Sequence, residues 1–331
     1  MDERLTATEM DHLCGIIHRV TGLTIRQHQQ DALHDYFTQM RNQDSNLNLE
    51  RYLEAIQNKP TSSAEYKELM EILTIGESYF FRDEPQMSFL RNTWLPQLIR
   101  ERRASGSKSL RIWSAGCSEG QELYSIAIML SEIISDIDDW SIYLIGSDIN
   151  LNSISKAMKG CYSSWSIREM DSRTLKRNFS EGGDTYQLQR NIGIMASFFY
   201  INLLDSSYPS LLNGTVALDL IICRNVLLYF NDAVTQKTLN QLEQCLAPNG
   251  IILIGHTDAY AKNIPTSLIA EHSNKVTYYK QNIPEIAPLF AFDGGVTKTI
   301  QQNVPEPKEP IVSTGLDQTA PLNYICNLYK K

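Results

Sequence analysis

Residues 111–120 read RIWSAGCSEG, an apolar strand running into a glycine- and serine-rich turn and then a helix start. Gly116 and Gly120 permit close backbone approach, and the following helix N-terminus favours anionic or polar ligand groups. The stretch matches neither GxGxxG nor the phosphate loop GxxxxGK[ST], and a turn of this kind also serves plain packing. Outward from it, short apolar runs at 110–114, 142–147, 218–223 and 251–255 alternate with helical patterns at 119–137, 152–159 and 232–246. That alternation predicts βαβ units in a mostly parallel sheet, an α/β fold. The last helix is expected to start at an Asp232 cap and stop at Pro248-Asn249-Gly250. Residues 178–202, NFSEGGDTYQLQRNIGIMASFFYIN, carry a Gly-Gly-Asp turn among β-prone residues and read as a small antiparallel insert. Residues 276–280 read as a closing strand.

Upstream the pattern is helical throughout. Leu13, Ile16, Ile17 and Val20, then Leu33, Phe37 and Met40, then Tyr52, Leu53 and Ile56 recur at helical spacing. Residues 1–75 are therefore expected to form an all-α N-terminal domain, and 76–283 the α/β domain. Six of the twelve prolines fall in 284–331, which reads as a flexible tail or linker.

The 331 residues carry 30 Lys and Arg against 38 Asp and Glu, a net charge of −8. That balance argues against a phosphate-tracking surface, so no nucleic-acid partner is expected. No export signal and no run long enough to span a membrane is present, so membrane insertion is not expected. The six cysteines are scattered with no CxxC pair, which speaks against zinc and for a reduced, cytoplasmic setting.

Asp148 ends the 142–147 strand, where its carboxylate can accept both hydrogens of a ribose diol. Its alternative role is to cap the helix after Asn150. Glycine turn and strand-end acid together point to an adenosine ligand at the carboxyl ends of parallel strands.

Six segments then fall in one order: GESYFFRDE (76–84), WSAGCSEGQELYSIA (113–127), GSDIN (146–150), AMKGCY (157–162), LIICRNVLLYF (220–230) and GIILIGHTDAY (250–260). In this the sequence resembles, over about residues 10–281, the CheR family of S-adenosylmethionine-dependent protein-glutamate methyltransferases that modify chemoreceptors. The resemblance implies a Rossmann-like class I methyltransferase domain. It implies that Gly76 and Ser78, before the arginine motif, and Arg82 hold the methionine part of the cofactor. Glu122 would take the α-ammonium and Asp148 the ribose, and Asn202 with Leu203 would flank the adenine. Gly116 belongs to the glycine turn, and Arg224 with Asn225 to the segment beneath the sulfonium. Tyr229 and Arg82 would line the spot for the acceptor glutamate. Read as bare residues, Arg82 could be a structural ion-pair member, Tyr229 core filler, and Glu122 a first-turn acid favoured by the helix dipole.

The implied chemistry suits these residue types. A glutamate acceptor titrates near 4.3 and is already ionised at neutral pH, so no general base is needed. No metal site is expected. Attack neutralises opposite charges, which a dry site favours, and Arg82 can fork onto the acceptor carboxylate. The alternatives are a non-catalytic S-adenosylmethionine-binding module and a methyltransferase with another acceptor.

The sequence departs from the family pattern in places. Gly76-Glu77-Ser78 stands where Asn-x-Thr is common, and SEGQELYS where STGEEPYS is. Residues 25–42 balance Arg26 and Arg41 with Asp31 and Asp35, so an acidic receptor bundle gains little steering from them. The SEGGD turn is short for clasping a receptor's C-terminal peptide. A receptor-like partner engaged without that tether, and a monomeric enzyme, are the expectations.

Overall fold

Four helices open the chain: α1 (Ala7–Thr21), α2 (Gln27–Gln43), α3 (Leu49–Asn58) and α4 (Ala64–Leu73). Thr6 and Glu9 close a reciprocal cap at the head of α1, and Gly22, at φ +78°, ends it. The apolar residues at helical spacing meet in one core, where Leu13, Ile17, Leu33 and Phe37 are wholly buried. The computed structural model describes residues 4–43, 48–74, 78–256, 258, 264–273 and 275–282. Gly76 and the expected tail lie outside those residues.

Next come α5 (Glu84–Phe89), a π-helical segment (Leu90–Trp94) and α6 (Leu95–Ala104). The α/β part then runs β1 (Ser109–Ala115), α7 (Gln121–Ile133), β2 (Ser141–Asp148), α8 (Leu151–Lys159), β3 (Cys161–Ser163), α9 (Ser172–Asn178), β4 (Phe179–Gly182) and β5 (Thr185–Leu188). It continues through α10 (Arg190–Gly193), β6 (Ala196–Tyr200), β7 (Leu218–Cys223), α11 (Asp232–Gln244), β8 (Leu246–Ile254), β9 (Leu268–Ser273) and β10 (Val276–Gln281). Seven strands form one sheet in the order β6-β2-β1-β7-β8-β10-β9. The first five run parallel, and the β9–β10 hairpin adds antiparallel to β8. Alternate residues feed the two faces: Leu220 and Ile222 enter one core, Ile221 and Cys223 the other.

Strand order reverses between β1 and β7, because the chain builds outward through β2 to β6 before crossing to β7. In such sheets the crevice beyond the strand ends at that point is where ligands sit. The glycine turn follows β1 there, and Arg224-Asn225 follow β7.

The sequence reading needs correction in four places. The run 178–202 is not one insert: β3, β5 and β4 make a three-stranded antiparallel sheet, but β6 joins the main sheet parallel to β2. Gly146 accommodates this pairing: any Cβ there would lie 2.5 Å from the ring of Phe198, its partner across the strands, so only glycine lets β6 settle beside β2 with that ring in place. Secondly, Pro248-Asn249-Gly250 lies inside β8, not at a helix end. The register shifts there, Asn249 takes φ +66°, and a Gly250 side chain would strike the Leu218 carbonyl at 2.4 Å. Thirdly, α11 stops at Gln244 and is capped by Asn231, whose side chain accepts from the Val234 N–H, not by Asp232. Lastly, α7 ends at Ile133 instead of 137.

Candidate active site

A recess opens at the switch point, lined by residues that follow β1, β2, β6 and β7 and by the end of α1. Gly116, Asp148, Asn202, Leu203, Asn225 and Tyr229 all face it, as do Thr21 and Leu23 from the helical region.

Its floor is built from backbone. The Gly116 and Cys117 N–H groups both donate to the Ser147 carbonyl, at 2.8 and 2.9 Å, folding the turn over the end of β2. Asp148 accepts from the Ser118 N–H on Oδ2 and from the Asn150 N–H on Oδ1, each at 2.9 Å. Burial pushes its carboxyl upward, and the backbone N–H groups oppose that shift. The alternative role for Asp148 goes elsewhere: Asn150 caps α8 with its own side chain, which leaves Asp148 lining the recess. Gly116 (φ +79°) is required here, since a Cβ would meet Val226 Cγ2 at 2.3 Å. Asn202 is buried and spends its amide on structure, donating to the Val20 carbonyl at 2.8 Å and accepting from Leu204 N–H at 3.0 Å. It thereby locks α1 against this edge.

Beside the recess stands a polar strut. Arg224, 8% exposed, donates from Nε to Glu122 Oε2 at 2.7 Å and from Nη1 to the Arg82 carbonyl at 2.8 Å. Glu122 Oε1 accepts from Ser114 Oγ at 2.6 Å. Gln86 joins the strut, accepting from Arg224 and donating to the Ile254 carbonyl. Glu122 therefore does more than favour the helix dipole, yet its carboxylate keeps lone pairs for a ligand cation. Arg82 lies over the Tyr79 ring, 5.7 Å from its centre. Ser78 is half-buried at the head of that segment.

Tyr229 closes a short 3-10 turn (Leu227–Tyr229). Burial raises its hydroxyl above the usual phenol range, while the charges of Arg26 and Arg82 oppose that shift. The turn is held from two sides. Asp258 is 2% exposed and accepts from the Asn225 and Leu228 N–H groups. From the helical region, Thr24 N–H donates to the Tyr229 carbonyl at 2.7 Å and Arg26 to the Leu228 carbonyl at 2.7 Å. Backbone strain gathers here too: Phe81, Asp83, Ser118 and Asn225 all hold positive φ without being glycine.

The recess is mostly apolar, with Ile149, Ile201, Val226 and Phe230 on its walls and one half-buried carboxylate at its floor. That donor set fits an adenine ring beside a ribose diol, so the residues present suit S-adenosylmethionine.

Comparison with known proteins agrees. The family described as "CheR methyltransferase, SAM binding domain" matches residues 76–276. The "Chemotaxis protein methyltransferase" of Borreliella burgdorferi is 27% identical over 78% of this chain and 90% of its own length. "Chemotaxis protein methyltransferase 2" of Vibrio cholerae is 30% identical over 66% and 74%, and the Salmonella typhimurium protein 25% over 79% and 88%. Fold, recess and matched span lead to one conclusion: this chain belongs to the CheR methyltransferase family of S-adenosylmethionine-dependent enzymes.

Proposed function

We propose that the protein transfers a methyl group from S-adenosylmethionine to glutamate side chains of a methyl-accepting, chemoreceptor-like protein, forming methyl esters. The observation that carries this reading is the recess lined by Asp148, Asn202, Leu203, Asn225 and Tyr229, flanked by the Arg224 strut that ends on the Arg82 carbonyl. The relatives' name, chemotaxis protein methyltransferase, supports the acceptor class. When bound, the cofactor supplies an electrophilic methyl on a sulfonium.

The chain's own residues do the rest. Asp148 would hold the ribose, Leu203 and Asn202 the adenine edge, and Glu122 the cofactor ammonium, with the Arg224 hydrogen bond keeping Glu122 aimed. Ser78 and Arg82 would bound the methionine side, together with Gly76. Arg82 binds the acceptor carboxylate, and the Tyr229 hydroxyl, kept protonated by burial, donates to its second oxygen. A nucleophile already ionised needs no base, so catalysis is positioning, worth roughly 7–11 kcal/mol when geometry is good.

The helical region at 1–75 acts as the acceptor-facing domain, since Thr21 and Leu23 already wall the site. The enzyme works as a monomer in the cytoplasm, without nucleic acid. Its acidic balance supports the absence of a nucleic-acid partner, and the free cysteines among the described residues support a reducing compartment. No described helix is long and apolar enough to cross a membrane.

The test is transfer of labelled methyl from S-adenosylmethionine to a chemoreceptor cytoplasmic fragment. Label released as methanol by mild alkali is expected. Cofactor binding with no transfer to any receptor fragment favours the non-catalytic module, and alkali-stable label a different acceptor atom.

A further inference from the structure

A second arginine shares an aromatic ring with Arg82. Arg168 lies over the Tyr79 ring, 3.7 Å from its centre, and over the Trp165 ring at 3.8 Å. The same Tyr79 ring carries Arg82 at 5.7 Å, so the two guanidinium carbons stand no farther apart than those two lengths laid end to end. The turn bearing Arg168 is tied to the segment bearing Arg82 by the Phe80 N–H, which donates to the Ser166 carbonyl at 2.8 Å.

Among the described residues the Arg168 side chain gives one hydrogen bond, from Nη1 to the Trp165 carbonyl at 2.6 Å. Among the described residues it forms no ion pair, although Asp83, Glu84, Glu169 and Asp171 gather in the hollow that Tyr79 also lines. Trp165 remains 55% exposed, an unusual position for the largest apolar side chain unless it supports something. Stacking on two rings fixes the guanidinium plane and leaves several of its five N–H donors along the edge for a planar anion.

We infer that Tyr79, Trp165 and Arg168 form a second carboxylate subsite, which takes an acidic side chain of the acceptor polypeptide near the glutamate held by Arg82. This rests on the acceptor reading above and deepens it. Acidic residues three or four apart on a helix have Cβ atoms about 5–6 Å apart, and glutamate side chains span the remainder. The subsite selects glutamates that have an acidic neighbour over isolated ones. It replaces part of the charge steering that the near-neutral 25–42 segment does not provide.

The test uses the full chain and synthetic helical peptides with one central glutamate, with a second glutamate or a glutamine placed one, three or four residues away. The wild type is expected to favour the best-placed acidic neighbour over its glutamine counterpart by about 5- to 20-fold in kcat/KM, and raised salt should shrink that ratio. Arg168→Gln should bring the ratio near one. Trp165→Leu, which keeps the charge and loses a stacking face, should leave an intermediate ratio. A thermal melt and S-adenosylmethionine binding report on folding of each variant. A ratio that survives Arg168→Gln in folded protein, or a wild type indifferent to the neighbour, overturns the subsite. Absence of label from every peptide and from receptor fragments, with cofactor bound, contradicts the acceptor reading itself.

Discussion

The floor and the mouth of this site are built in different ways. The floor, Gly116 to Gly120 with Asp148, is built from two adjacent strands that end together, and backbone N–H groups of the connecting turns reach both carboxylate oxygens of Asp148 and the Ser147 carbonyl. The mouth is long-range. Arg82, Gln86, Glu122, Arg224, Tyr229 and Asp258 come from segments far apart in the chain and are joined by side chains. Several of its backbone positions are strained. A floor of this kind tolerates change in the rest of the molecule, whereas the mouth fails when one member is removed.

The largest expected effect tests that difference. Arg224→Ala leaves the Glu122 carboxylate buried without its partner, which should cost about 3–5 kcal/mol of stability. A thermal melt checks this, and a melt within a degree of wild type would show the strut to be dispensable. On the floor, Gly116→Ala should cost at least about 1–2 kcal/mol from its left-handed backbone alone, with a further loss from the clash with Val226. Its cofactor affinity should fall as well. If the melt is unchanged, the turn does not hold the conformation described.

Smaller effects separate chemistry from architecture. Tyr229→Phe keeps the packing and removes one donor to the acceptor carboxylate, so kcat/KM for the receptor should fall about 10-fold with cofactor affinity held. An equal loss in cofactor affinity would move Tyr229 from acceptor to cofactor.

The pH profile sharpens the contrast further. Tyr229 is raised above the ordinary phenol range, so it stays a donor and gives no basic limb below about pH 10. Asp148 is raised by burial, so its protonated form is favoured in the fold. Between the unfolded value near 3.9 and that raised value, the folded chain holds more protons than the unfolded one. The ligand-free protein therefore gains stability from Asp148 as pH falls through that window, while cofactor affinity drops. Stability and affinity falling together there would contradict this sign.

The same contrast explains what was legible in the sequence. The strands that carry the floor were placed within about two residues, because a parallel sheet buried on both faces writes itself as short apolar runs. Asp148 and the glycines stood next to those runs. The mouth left weaker marks. Arg82 and Tyr229 came from family motifs, but the partnership of Arg224 with Glu122 is set by packing across about a hundred residues. Asp258 follows a strand whose pattern gives no hint that it clasps Asn225 and Leu228. Nothing local in Thr21 or Leu23 announces that they wall a site. The placement of β6 was missed for a similar reason: its half-buried pattern suits an insert or a sheet edge, and Gly146, which accommodates the pairing, lies some fifty residues earlier.

The most direct test of the central claim is calorimetric binding of S-adenosylhomocysteine to the wild type and to Asp148→Ala, with thermal melts as folding controls. Binding in the roughly micromolar range is predicted, weakened about 100-fold or more in the variant, the loss of two charge-assisted hydrogen bonds to the ribose. Equal affinity in a folded Asp148→Ala protein, or no binding by the folded wild type, would contradict the assignment of this recess to the cofactor.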